Sequence, residues 1–447
     1  MPRISLWVYG VFMRLAKPLL RRKLHQRALA ESLYGQFIDE RFGQYNHGAI
    51  HGAIHGASQD WIWIHAVSLG ETRTAAVLLQ GLRQAMPGMK LLLTNGTATG
   101  RAEGLKLLQE GDVQVWQPWD SPDVIDRFFR AFKPKIGLLI ETEVWPQLIE
   151  RAQFHGVPMM LVNARMSQKS MRKAQRWTSL MTPAFAGISA VFAQTQDDAV
   201  RLTQLGANVK GVFGNLKFDA KPDDAQIALG QSWRMKANLP VLMLASSREG
   251  EESLWLAAWQ KFATKYPNVC VHWLIVPRHP QRVEEVESLL QSSGLKVSRR
   301  STWGQDGPSL ALDSKEVFSS KASVIFLGDS LGEMALYYSL SDVALLGGSF
   351  EKLGGQNLIE AAACACPIVM GPHTFNFSEA SHAAEDAGAA QRASDMEEAV
   401  RIAVETVQSR QLQAQKSKHA AQFARQHGGA TQLTVMAVSE LLRANQN

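Results

Sequence analysis

From Asp60 onward the chain alternates short apolar runs with longer stretches in which apolar residues recur at helical spacing. Trp61 to Val67, Lys90 to Thr94, Val113 to Gln117, Lys135 to Ile140, Val157 to Asn163, Ser189 to Gln194 and Val209 to Phe213 form a first series. Runs so continuously apolar belong to strands buried on both faces, and the amphipathic stretches between them supply the covering helices. A polar stretch from Asp219 to Asn238 precedes a second series: Val241 to Ala245, Val269 to Val276, Leu295 to Ser298, Val324 to Leu327, Val343 to Leu346 and Ile368 to Met370. The expected architecture is α/β, two doubly wound parallel-sheet domains facing a central cleft, with ligand-binding groups just beyond the carboxyl ends of the strands. The expected division is residues 1–24 as an interfacial helix, 25–60 as a linker, 61–220 as a first domain and 221–447 as a second.

The N-terminal stretch follows a different pattern. Ile4 to Met13 is uncharged and rich in large apolar residues, but it is too short to cross a bilayer, which takes about 20 residues. On a helix Gly10, Arg14, Lys17 and Arg21 share one face and leave the aromatic and aliphatic side chains on the other. That is the pattern of an amphipathic membrane anchor, its basic residues turned to anionic headgroups at roughly 1 kcal/mol each, with an ordinary surface helix as the alternative. No small-residue cleavage site marks a signal peptide. Residues 47–58 repeat a His-Gly-Ala unit that sets His47, His51 and His55 four apart; the glycines favour a flexible insertion over a metal-holding helix.

Charge sharpens this division. The net charge is +6, yet residues 1–30 hold seven Lys or Arg and no acid, which leaves 40 basic against 41 acidic residues in the remainder. A nucleic-acid groove requires a basic excess on the folded body, so nucleic acid is not an expected partner. The three cysteines, Cys270, Cys364 and Cys366, have neither zinc-like spacing nor even number, which suits a reduced, cytosolic body. No Gly-x-Gly occurs, against a dinucleotide-binding enzyme, and no Asp-x-Asp, against a transferase holding its nucleotide through a divalent cation. Neither a cofactor nor a metal is expected.

The candidate chemistry follows the strands. Ser68-Leu69-Gly70-Glu71 opens a helix and reads either as a capping box or as a general base, Glu71, placed at a cleft. Glu141 and Glu143 end a very apolar strand, where a charge is costly unless partnered or used, although a helix N-terminus would also favour them. Lys217, after the last strand of the first series, is either an anion partner or a solvated lysine. The second half carries four strand-to-helix turns suited to anions: Ser246 to Glu252, Val276 to Pro280 with Arg278 between prolines, Gly328 to Glu333, and Gly354 to Glu360.

At these residues the chain resembles the 3-deoxy-D-manno-octulosonic acid (Kdo) transferases of lipid A and lipopolysaccharide core assembly, inverting glycosyltransferases of the GT-B fold. The resemblance runs in order from Trp61 to Ser378 through His65 to Glu71, Glu141 to Pro146, Asn163 to Ser167, Gly214 to Asp219, Ser246 to Glu252, Val276 to Pro280, Gly328 to Glu333, Gly347 to Glu360 and Met370 to Phe377. It implies Glu71 as catalytic base and Glu141 and Lys217 as stabilisers of the transition state. It also implies a donor, CMP-Kdo, held by Pro277, Arg278, Leu331, Gly332, Glu333, Asn357, Leu358, Ile359 and Glu360. The acceptor it implies is the lipid A precursor lipid IVA, met at the cytoplasmic face of the inner membrane on an anionic surface. Ser247-Arg248 stand where the family has Thr-His, and Gln356 and Leu358 where it has His and Pro. A nucleotide-sugar epimerase or hydrolase of the same fold, and a non-catalytic nucleotide-sugar binding protein, are the competing readings.

Overall fold

The computed structural model describes residues 2–45, 60–308 and 324–444; the His repeat lies outside them. The chain divides into two compact units, Met1–Asp219 with Gly428–Asn447, and Ala220–His427. The first contains helices α1 (Pro2–Leu15) and α2 (Lys17–Ala30), then β1 (Trp61–His65), α3 (Leu69–Ala85), β2 (Lys90–Asn95), α4 (Ala98–Leu105) and β3 (Val113–Trp116). It continues through α5 (Pro122–Phe132), β4 (Ile136–Ile140), α6 (Pro146–Phe154), β5 (Met159–Ala164), α7 (Gln168–Gln175), α8 (Thr178–Ala186), β6 (Ala190–Ala193), α9 (Gln196–Gln204) and β7 (Val209–Val212).

The seven strands form one parallel sheet in the order β3-β2-β1-β4-β5-β6-β7. Because side chains alternate along a strand, successive residues feed opposite cores. Trp61 and Trp63 enter a cluster with Phe128, Phe129, Phe132 and Leu148, while Ile62 and Ile64 enter one with Leu78, Leu79, Leu82, Val435 and Val438. Both faces are therefore apolar, as the unbroken runs require.

The second unit contains α10 (Asp224–Lys236), β8 (Val241–Ser247), α11 (Glu251–Lys265), β9 (His272–Pro277), α12 (Val283–Ser292), β10 (Lys296–Arg299), β11 (Val324–Leu327) and α13 (Met334–Leu340). After these come β12 (Val343–Leu346), α14 (Ile359–Ala363), β13 (Ile368–Met370), α15 (Ser378–Asp386), β14 (Ala390–Arg392), α16 (Met396–Gln408) and α17 (Arg410–Gln426). Its parallel sheet runs β10-β11-β9-β8-β12-β13-β14, over a core in which Trp255 and Trp259 meet Trp273 edge-on.

Two expected boundaries need correction. The last helix, α18 (Ala430–Ala444), belongs to the first unit rather than to a domain spanning 221–447. Val435 and Val438 complete one face of the first sheet, and Gly81 of α3 makes room for them: a Cβ there would lie 2.7 Å from Thr431 Cγ2. Nor is 25–60 simply a linker. Glu40, Arg41, Phe42 and Tyr45 are buried; Glu40 accepts from Arg101 at 2.8 Å and from the Trp116 N–H at 2.7 Å, and Arg41 lies over the Trp116 ring.

Helix α1 is partly built into the first unit and partly bare. Arg14 and Lys17 meet Asp123, and Arg21 meets Asp39, so these cations face carboxylates of the chain itself where headgroups were expected. Ile4, Trp7, Val8, Phe12, Leu15 and Leu19 stand exposed. Among the described residues no helix is long and apolar enough to cross a membrane.

Candidate active site

Strand β1 ends at His65, whose ring is buried beside the Thr94 hydroxyl, Nδ1 to Oγ1 2.7 Å, and burial pushes its pKa down to about 3. The chain then turns into α3 with Ser68 as N-cap, its hydroxyl accepting from the Glu71 N–H at 3.3 Å. The Glu71 carboxylate accepts from the Val67 N–H at 2.7 Å and from the Ser68 hydroxyl at 3.0 Å. The Ser68 half of the capping box is thus formed, while Glu71 reaches back to the N–H of Val67, one residue before the cap. It does not exhaust the residue: burial first, and the charge of Glu143 second, with Glu141 adding to them, raise the Glu71 carboxyl from 4.5 to about 7 against the pull of those two donors. Neighbouring backbone holds the turn, since the N–H groups of Gly96 and Thr97 both donate to the Val67 carbonyl at 3.0 Å. A Cβ at Gly100 would come within 3.0 Å of that same oxygen, so the approach requires glycine.

Beside β1, strand β4 delivers Glu141. This residue has φ +63, a left-handed conformation rare outside glycine and of the kind that clusters at functional sites. Its backbone is held by the Val162 carbonyl, and its Oε1 meets Lys217 Nζ at 2.9 Å. Lys217 is positioned from β5: Asn163, itself at φ +53 and buried, accepts the Leu216 N–H on Oδ1 at 2.9 Å, and its carbonyl accepts from Gln194. The sequence motifs Glu141 to Pro146, Asn163 to Ser167 and Gly214 to Asp219 therefore meet at the carboxyl ends of β4, β5 and β7. Glu143 accepts from Trp145 Nε1 at 2.9 Å, and burial, with Glu141 adding to it, raises its pKa. Three carboxylates and one ammonium gathered this way can take a proton at one group while fixing charge at the others.

In the second unit Pro277 closes β9 and the Arg278 N–H donates to the Ser247 carbonyl at 2.9 Å. Leu331 is exposed, and the Gly332 carbonyl accepts from Gln226 at 2.9 Å. Glu333 pairs with Arg300 at 2.8 Å and accepts from Ser330. Asn357 Oδ1 accepts the Ile359 N–H at 3.1 Å, Leu358 and Ile359 are buried, and Glu360 is exposed. Two of the three acids of Ser246 to Glu252 are structural: Glu251 accepts from the N–H groups of Arg248, Gly348 and Phe350, and Glu252 is held by Arg282 and Ser247, while Glu249 is exposed beside Arg248. The Arg248 N–H of this turn is thus already taken by a carboxylate of the chain itself.

Charge counting over the whole chain missed one feature. Between Arg151 and Gln196 there is no acid, and Arg165, Lys169, Arg172, Lys173 and Arg176 cluster on and beside α7. Those from Lys169 to Arg176 are exposed, and none of the five makes an ion pair among the described residues. Helix α8, which packs against α1, opens beside Trp177, 67% exposed. Among the described residues no three His, Cys, Asp or Glu side chains converge as a metal-holding group.

A family model described as 3-deoxy-D-manno-octulosonic-acid transferase (kdotransferase) matches residues 36–220. A 3-deoxy-D-manno-octulosonic acid transferase of Bordetella pertussis is 41% identical over 447 residues, 97% of this chain and 99% of that protein. One from Haemophilus influenzae is 31% identical over 375 residues, 83% of each chain. Among solved structures, a UDP-GlcNAc 2-epimerase from Neisseria meningitidis superposes with TM-score 0.54 over 85% of this chain and 99% of its own; at 14% identity it shows the fold alone, two Rossmann-like domains of the GT-B kind.

Proposed function

The chain belongs to the 3-deoxy-D-manno-octulosonic acid transferase family, glycosyltransferases that move Kdo from a nucleotide-sugar donor to an acceptor, and from that premise we propose that it transfers Kdo from CMP-Kdo to lipid IVA with Glu71 as general base. A glucosamine hydroxyl of the acceptor loses its proton to the Glu71 carboxylate as its oxygen bonds to the anomeric carbon of Kdo. The bond from that carbon to the CMP phosphate breaks in the same displacement, and its electron pair leaves with CMP. Inversion at the anomeric carbon follows. The observation that carries this reading is the Glu71 carboxyl itself, raised by burial and by Glu143 to about 7, since a general base works best with a pKa near the operating pH. The Glu141–Lys217 pair beside it stabilises charge in the transition state.

Donor binding falls to Pro277, Arg278, Leu331, Gly332, Glu333 and Asn357 to Glu360, with the Arg278 guanidinium offsetting phosphate charge as CMP departs. Transfer needs no metal. The enzyme works at the cytoplasmic face of the inner membrane, and membrane contact is supported by the bare apolar ridge of α1 and the unpaired cations of α7. Release of CMP from CMP-Kdo, measured with and without lipid IVA, tests the reading. Acceptor-dependent release is expected; release without acceptor would make the chain a hydrolase, and no release would leave it a binding protein.

A further inference from the structure

One face of α1 is fastened at the carboxyl end of the first sheet, next to the loop that bears Glu141 and Glu143. The Tyr9 hydroxyl donates to Asp120 Oδ2 at 2.9 Å. Asp120 is 3% exposed, and its carboxylate also accepts the N–H groups of Gln147 at 3.2 Å and Leu148 at 2.8 Å, the first turn of α6. The contact is reinforced from both sides: Gln147 Nε2 donates to the Leu6 carbonyl and Trp119 Nε1 to the Met13 carbonyl, each at 2.8 Å. Gly10 lets the helix sit this close, because a Cβ there would lie 2.9 Å from Gln147 Nε2 and 3.1 Å from Pro122 Cγ.

The loop from Glu141 to Trp145 spans five residues between the last residue of β4 and the first of α6. At one end the Glu141 N–H is held by Val162. At the other, Asp120 caps the turn that follows, acting as a remote N-cap. Asp120 in turn depends on Tyr9, since a buried carboxylate oxygen that loses a donor is left poorly solvated and shifts to find another.

We infer that Tyr9 and Gly10, acting through Asp120 and Gln147, are positioning residues for the Glu141–Trp145 loop, so that the helix proposed to meet the membrane also sets the geometry of the acids. The inference rests on the proposed role of those acids in transfer. It makes α1 part of the catalytic unit rather than a detachable anchor.

The test uses full-length Tyr9→Phe and Gly10→Leu in neutral detergent micelles, where bilayer binding plays no part. Amide hydrogen exchange is expected to quicken at least about tenfold at Gln147 and Leu148, whose bonds to Asp120 loosen. The kcat for transfer is expected to fall about 5- to 30-fold, since displacements near 1 Å are costly to reactions. The KM for CMP-Kdo is expected to stay within about twofold, because the residues assigned to the donor lie in the other unit. Wild-type exchange at Gln147 and Leu148 in both variants would overturn the inference whether or not the chain transfers Kdo. So would quickened exchange with a wild-type kcat. A wild-type chain that releases no CMP in the presence of lipid IVA would instead overturn the proposed function, and the exchange result would still decide whether the clamp exists.

Discussion

Replacing Glu71 by Gln removes a charge that the fold holds at a cost. Burial, with Glu143 and Glu141 adding to it, raises this carboxyl from 4.5 to about 7. The folded chain therefore binds the proton more tightly than the unfolded chain, and stability falls as pH rises from about 4.5 through about 7. That difference is worth about 3 kcal/mol at pH 8 and under about 1 kcal/mol at pH 5; water reaching the half-buried side chain reduces the first figure to about 2 kcal/mol. Gln fills the same volume, its carbonyl can accept the Val67 N–H, and its amide can face the Ser68 oxygen. Glu71→Gln is thus expected to raise the melting temperature of this unit at pH 8 by roughly 4–8 °C and to change it far less at pH 5. Scanning calorimetry of both proteins at the two pH values measures this. A variant melting at or below the wild-type temperature at pH 8 would show that Glu71 sits in no strained acidic cluster, and the argument for its basicity would fall.

Other expectations follow from the same geometry. Glu143→Gln removes the neighbouring charge that most raises the Glu71 pKa, so the acid limb of kcat/KM should move to lower pH by roughly half a unit or more; an unmoved limb in a pH–rate profile contradicts the coupling. Asn163→Ala takes away the acceptor of the Leu216 N–H and should lower kcat about tenfold by freeing Lys217, with wild-type turnover as the contrary result. EDTA should leave the rate of CMP release unchanged, whereas a loss restored by added Mg²⁺ would establish metal dependence. Changing Lys169, Arg172, Lys173 and Arg176 together to Gln should weaken binding to phosphatidylglycerol-containing vesicles at least about tenfold, and equal sedimentation with those vesicles would remove α7 from the membrane surface.

Eleven of the thirteen strands expected were legible because a buried parallel strand leaves an apolar run, and β11, β12 and β13 begin and end where their runs do, whereas β7 and β10 lie at sheet edges, are largely unburied, and showed only through the alternation of strand and helix. The fourteenth, Ala390–Arg392, was not: three residues long at a sheet edge, with Gln391 exposed, it leaves no such run. Long-range partners were equally hidden. Nothing local to residues 31–45 reveals that Glu40 meets Arg101, or that the helix after Gly428 returns to fill a face of the first sheet. At the site, Ser68-x-x-Glu71 announced the cap correctly, but the elevated pKa depends on burial and then on Glu143 arriving after β4, both of which the strand order decides. Asn163 carried a signal inside its motif without a role; the left-handed backbone that gives it one has no signature in a single sequence.

The dependence on Glu71 of acceptor-driven CMP release tests the account most directly. Measured as kcat/KM against pH with lipid IVA as acceptor, the wild-type protein should gain activity with a midpoint near pH 7, as the carboxyl of pKa about 7 ionises. Glu71→Gln should lose about 10² to 10⁴-fold and show no such limb. A Gln variant that keeps near-normal turnover with the same midpoint would contradict the assignment of the base.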